Sequence, residues 1–234
     1  MSGFASHAYW EQRYRAGGDS GAGSGGVLLH YKAAVINAFI ADNHVASVLD
    51  LGCGDGRLLS LLRAPSYVGV DVSPTVLSGC ASRFPQHRFL GLDALDQEPA
   101  AELALSIDVL FHLVEDQVFI RSMDTLFAHA TRFVLIYASN FVCDWPAPHV
   151  RHRRFTDHVV RAWPDWRLLA HLPNPHPYHP ARPDETSFAD FFVYGRPSAG
   201  CAIRVPGRSA QHAGDERGQP LIVADFVVGE GGNP

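Results

Sequence analysis

Between Ser47 and Tyr194 the chain alternates two kinds of apolar pattern. Short apolar-rich runs at 47–51, 67–71, 87–91, 104–110 and 132–138 read as buried strands. Ahead of the first run and between the others, apolar positions recur at three- and four-residue spacing over 28–43, 57–63, 74–83 and 115–129, the spacing of a helix face. Asp42-Asn43 is a plausible helix stop, and Ser73-Pro74 supplies an N-cap with Pro at the first helical position. This alternation predicts an α/β fold: a doubly wound, mainly parallel sheet with right-handed crossovers. After 138 the rhythm changes. Residues 139–154 form a long polar loop, Phe155–Ala162 a short helix stopped by Pro164, and 166–172 and 188–194 two more strands separated by a Pro- and His-rich loop. Residues 197–219 are Gly-, Pro- and charge-rich and read as a mobile tail; 221–228 could add an edge strand, pack on the core or mediate association. Ahead of the first strand, aromatic and basic positions (Tyr9, Trp10, Arg13, Tyr14) run into a Gly-rich stretch that composition marks as a flexible loop. The organisation expected is an N-terminal lid and helix (1–43), a core (44–196) and a C-terminal tail with a possible extra strand (197–234).

The first strand, turn and second strand carry chemistry. Val48-Leu49-Asp50-Leu51 leads into Gly52-Cys53-Gly54-Asp55-Gly56, and the next strand closes on Asp71. Glycines at alternate positions let backbone approach a ligand where a Cβ would collide. An acid ending the second strand can grip both hydroxyls of a ribose. The glycine spacing is G-x-G-x-G rather than the dinucleotide G-x-G-x-x-G. Asp50, two residues before the first glycine, would repel a pyrophosphate but suits a ligand bearing an ammonium group.

This pattern resembles motif I of the class I S-adenosylmethionine (SAM) methyltransferases, E/D-x-G-x-G-x-G, with all four positions filled. The resemblance spans roughly residues 1–196. It implies a Rossmann-like sheet in the strand order 3-2-1-4-5-7-6 with the seventh strand antiparallel, and SAM as cofactor. By resemblance Asp50 sits near the methionine amino group, directly or through a water. Gly52, Cys53 and Gly54 line the methionine and ribose with backbone, Asp71 binds the ribose hydroxyls and Val72 flanks the adenine. Asp93 matches the acid after the third strand that accepts from the adenine amino group, with Asp96 as its alternative, and Ala94 offers its N–H to the ring. In the segment nearest the methyl, Ser106 could touch the methionine carboxylate, Asp108 reads as structural, and Phe111 and His112 project over the cleft. The N-terminal aromatics, Tyr14 among them, resemble the lid helix of small-molecule methyltransferases; a helix merely packing on the sheet is the competing reading. Tyr31 and Lys32 are further, weaker candidates.

Methyl transfer from a sulfonium needs an acceptor at attack distance and, for a hydroxyl, removal of a proton. His112 is the base candidate, since a free imidazole titrates near neutrality. Glu115-Asp116 could orient it, though Glu115 serves equally as a helix N-terminal charge. The acceptor side is expected from the lid and the loop after the fifth strand, with Tyr137, Asn140 and His152 as substrate-binding residues. The basic run 149–155 either holds an acceptor anion or is a solvated approach to the helix.

Composition narrows the rest. Apolar residues make up 47% of 234 positions and charged residues 18%, which sustains a sizeable core. A net charge of −5 argues against non-specific nucleic-acid binding. No apolar run is long enough to span a bilayer, and the N-terminus lacks the pattern of a secretory signal. The four cysteines form no C-x-x-C pair; Cys53 and Cys80 read as small buried residues, and a reducing cytoplasm fits. His149/His152 and His176/His179 have chelating spacing, yet nothing nearby in sequence completes a ligand set, so no metal is expected. The expectation is therefore a SAM-dependent methyltransferase of a small molecule, monomeric or homodimeric. O-methylation in secondary or sugar metabolism is the first choice, with N-methylation open. The alternative is a SAM-binding sensor or non-catalytic partner subunit. An NAD-type oxidoreductase fails on the glycine spacing.

Overall fold

The computed structural model describes residues 4–196 and the backbone of 208–214 and 220–225. One sheet contains β1 (Ser47–Leu51), β2 (Ser66–Val70), β3 (Arg88–Leu90), β4 (Ala101–Ile107), β5 (Ala130–Ala138), β6 (Arg167–Leu172), β7 (Asp190–Gly195), β8 (Arg208–Gly214) and β9 (Pro220–Asp225). Their spatial order is β3-β2-β1-β4-β5-β7-β6-β9-β8. The first five in that order run parallel, and β7 lies antiparallel between β5 and β6. The expected order 3-2-1-4-5-7-6 is thus present and is continued by β9, parallel to β6, and β8, antiparallel to β9.

Five α-helices accompany the described sheet: α1 (Ser6–Arg15), α2 (Gly26–Asp42), α3 (Pro74–Arg83), α4 (Asp116–Ala128) and α5 (Phe155–Ala162). Side chains alternate between the two faces of a strand, and β7 shows the result. Phe191 points to the face covered by α2, where its ring meets Tyr31 at 5.7 Å. Its neighbours Phe192 and Tyr194 point to the other face, against Phe155 of α5 (5.0 Å) and Phe127 of α4 (5.6 Å). A strand apolar on both faces needs a helical layer on each, and the continuous run Phe191–Tyr194 is buried throughout. Ser73 caps α3 as expected, accepting from the Val76 N–H at 3.1 Å with Pro74 at the first position. Cys53 and Cys80 are buried free thiols.

Three elements differ from the sequence expectation. The helix expected over 57–63 is only a 3₁₀ turn, Leu59–Leu61. Asn37 of α2 takes the Leu61 carbonyl (2.8 Å) and the Arg63 N–H (2.7 Å), and Pro65 holds the residue before it extended. The strand expected over 104–110 lies at 101–107 instead, because Asp108 turns left-handed (φ 59°) and ends the pairing. Residues 208–214, expected within an irregular tail, form β8. The rest of that tail, Cys201 and residues 226–228 of the possible extra strand lie outside the described residues. Among the described residues no helix is long and apolar enough to cross a membrane.

Candidate functional site

A cavity of about 290 Å³ opens at the carboxyl ends of β1, β2 and β4, the edge where open α/β sheets bind ligands. Its floor is the turn after β1. Gly52, Gly54 and Gly56 all adopt positive φ (90°, 55° and 73°). A Cβ on Gly52 would stand 2.4 Å from Val109 Cγ2, and one on Gly54 2.5 Å from Ser20 Oγ. Conformation and contact together require glycine at both positions.

Of the residues expected at the cofactor, Asp50, Gly52, Cys53, Gly54, Asp71, Val72 and Tyr14 line this cavity. Asp71 Oδ2 accepts the Gly54 N–H and Oδ1 the Ser73 N–H, both at 3.0 Å. Burial pushes its pKa above the usual carboxylate value, against these backbone donors. Asp50 is 2% exposed and accepts from the Tyr67 hydroxyl at 2.7 Å through Oδ2. Its Oδ1 is buried without a partner. Burial raises its pKa to about 6. A half-satisfied buried carboxylate in a cavity wall fits an incoming cationic donor.

Other expected cofactor residues lie elsewhere. Asp93 folds back over Gly91, and the Ala94 N–H is donated to the Gly91 carbonyl (3.1 Å). Leu92, Leu95 and Asp96 of that 3₁₀ turn line the cavity instead. Ser106 is fully buried within β4, and Phe111 packs edge-on against Phe188 at 4.9 Å.

His112 stands on the cavity wall after β4. Its Nδ1 lies 3.0 Å from the His149 carbonyl, which can only accept, so Nδ1 carries the proton and the neutral ring keeps its lone pair on Nε2. Burial lowers its pKa to about 4, so the ring is neutral at pH 7. Trp10 of α1 meets it edge-on at 4.9 Å, and His149 stacks on it at 5.5 Å.

Beside His112 lies a pair that the spacing of the chain does not announce. Lys32 of α2, 2% exposed, donates to Asp108 Oδ2 and to the Gly23 carbonyl (2.7 Å). Lys32 and Asp108 both line the cavity. The Gly-rich loop expected to be flexible is also tied down. Ser20 Oγ accepts the Asp55 N–H (3.0 Å), Asp55 accepts the Ser20 N–H (3.1 Å), and Asp19 bridges Arg13 and Arg57 at 3.0 and 3.1 Å. Polar side chains within a glycine run were the available signal for this strap.

The residues expected to bind substrate are not on the cavity wall. Asn140 caps α5, accepting the Thr156 N–H at 3.2 Å and donating to Thr156 Oγ1 at 3.0 Å. His152 is 3% exposed, with Nδ1 2.8 Å from Ser139 Oγ and its ring boxed by Phe141, Trp145 and Phe188. Tyr137 is buried in β5 against Phe191 (4.7 Å). In the basic run, Arg151 and Arg153 are engaged by the Leu113 and Val114 carbonyls and by Asp116.

The family profile described as a methyltransferase domain matches residues 19–190. The chain belongs to this family. Trans-aconitate 2-methyltransferase of Klebsiella pneumoniae (strain 342) is 34% identical over 101 residues, 42% of this methyltransferase-family chain. The match covers only 38% of that curated relative. Among solved structures, the N-methyltransferase NodS from Bradyrhizobium japonicum WM9, in complex with S-adenosyl-L-homocysteine (SAH), superposes with a TM-score of 0.63 at 12% identity. That alignment covers 82% of this chain and 99% of NodS. Magnesium protoporphyrin IX methyltransferase from Synechocystis PCC 6803, with bound SAH, gives 0.58 at 13% identity, covering 81% and 97%. These likenesses show the shared fold.

Proposed function

We propose that this chain is a SAM-dependent methyltransferase acting on a small-molecule acceptor, with oxygen as the atom methylated. The observation that carries the reading is Asp50 Oδ1, a buried carboxylate oxygen without a partner on the wall of the glycine-floored cavity. An ammonium such as that of the methionine moiety satisfies it, whereas a phosphate does not. Asp71 then serves the ribose hydroxyls with the lone pairs left after its two backbone bonds. Bound SAM supplies an electrophilic methyl on a sulfonium. The chain's own work is to hold the acceptor in line and receive a proton at His112 Nε2. With its pKa lowered to about 4, that nitrogen is a weak base, which suffices for a hydroxyl whose proton becomes strongly acidic as the new bond to carbon forms. Trp10 and His149 fix the ring plane through the contacts described above.

Calorimetric titration with SAM, SAH and NAD tests the cofactor; binding of NAD in place of the adenosyl ligands would sink the reading. Once labelled-methyl transfer from SAM has identified an acceptor, His112→Ala should lower turnover by about 100-fold with SAM affinity nearly unchanged. An unchanged turnover removes His112 as the proton acceptor.

A further inference from the structure

Helix α1 is held differently from the other helices. None of its described side chains joins the apolar core cluster, and Ser6 is its one buried residue. Polar ties fasten it at three places, one on each strand end that borders the cavity. Ser6 donates from N (2.9 Å) and from Oγ to Glu115, and its Oγ accepts the Val114 N–H at 3.1 Å, beyond β4. Tyr14 Oη lies 3.0 Å from Ser20 Oγ, over the glycine turn beyond β1. Glu11 reaches the segment beyond β2: Oε2 accepts from Ser73 Oγ at 2.5 Å, and Oε1 from Thr75 Oγ1 at 2.8 Å. The carboxylate rests on the first turn of α3, whose unpaired N–H groups and positive dipole end favour an anion. Between these ties, Ser6, His7, Trp10 and Tyr14 form one wall of the cavity.

We infer that Glu11 is the latch that gates cofactor exchange, a positioning residue that acts through α1. The inference rests on the cavity being the SAM site as proposed above. Glu11 does not line the cavity, so it does not hold the ligand itself. It holds the helix that does, and it does so on the residue whose N–H engages Asp71: the contacts run Glu11–Ser73–Asp71–Gly54 without a break. Every atom of the latch belongs to the protein. Its strength therefore enters the closed free and closed bound states alike, cancels in the equilibrium affinity, and slows entry and exit together. A residue that merely shaped the binding wall would instead change dissociation and affinity.

The test is stopped-flow tryptophan fluorescence of SAH binding, with Trp10 in the cavity wall as the reporter. Glu11→Ala should raise the association and dissociation rates together by about tenfold, leaving Kd within about threefold and lowering the thermal midpoint by only about 3 to 6 °C. Thr75→Val, which removes one of the two hydroxyl donors, should move both rates the same way by a smaller factor. Unchanged rates in Glu11→Ala, or a rise in dissociation alone with weakened affinity, overturn the latch. Failure of the unaltered protein to bind SAH overturns the proposed function itself, a distinct result.

Discussion

The two halves of the carboxyl edge use similar side chains for opposite purposes. At the ends of β1 and β2, Asp50, Asp71 and the left-handed glycines Gly52 and Gly54 face the cavity. Beyond β5, Asn140, His152, Arg151 and Arg153 are equally rich in chemistry, yet their partners are their own chain: a helix terminus, an aromatic box and two loop carbonyls. Chemical capability is thus a poor guide to a place on the cavity wall where a long loop must first fasten itself to the sheet. A 16-residue connection, 139–154, cannot bury its backbone without spending side chains on it.

Gly52→Ala offers the sharpest way to break this contrast. Its Cβ would meet Val109 at 2.4 Å and φ would be strained, so SAM affinity should fall by at least about 100-fold in calorimetry. Near-normal affinity would place the ligand elsewhere. Next comes Asp108→Asn, which strands the buried Lys32 ammonium; chemical denaturation should show a loss of about 3 kcal/mol. Replacing both partners, Asp108→Asn with Lys32→Met, should recover much of it. If the single change costs nothing, the pair is not a buried ionic contact.

Acidity gives an intermediate effect. Asp50 titrates near 6 when folded against 3.8 in its reference state. The folded protein therefore binds the extra proton between these values, and this group's contribution to stability is lost as pH rises through 6. Ligand affinity runs the other way, because an ammonium needs the ionised carboxylate. SAM affinity should fall by up to about tenfold per pH unit below 6, and Asp50→Asn should flatten that dependence. The smallest effect expected is for Asn140→Ala. Loss of the cap on α5 should cost about 1 kcal/mol, with SAM affinity unchanged. A large change in turnover at equal stability would return Asn140 to the acceptor side.

The fold was largely legible because strand and helix periodicities report burial directly, and burial on both faces of β7 is written in Phe191–Tyr194. What escaped was conformational. Asp108 at φ 59° ends β4 within an apolar stretch that reads as its continuation. The Asn37 side chain and Pro65 limit the segment 57–63 to a single turn. At the site, glycines and strand-end acids were readable since backbone geometry dictates residue type there. The Lys32–Asp108 pair was not, because its members are 76 positions apart and meet only through packing. Asp93 and Asp96 show the same limit at short range: three residues apart on a 3₁₀ turn, with only Asp96 turned to the cavity.

The glycine turn can also be viewed as an account of donors. Gly52 and Cys53 both give their N–H to the Val70 carbonyl, at 2.8 and 3.0 Å, and Gly54 gives its own to Asp71. Asp55 donates to Ser20, Gly56 to the Cys53 carbonyl at 3.4 Å, and Arg57 to Asp55 at 3.2 Å. Six successive amides are engaged inside the protein. A phosphate cradle needs such amides turned outward and unspent. This turn keeps the room that glycine creates and withholds the hydrogens, so a pyrophosphate or free phosphate at the strand ends finds space but no unspent amide of this turn.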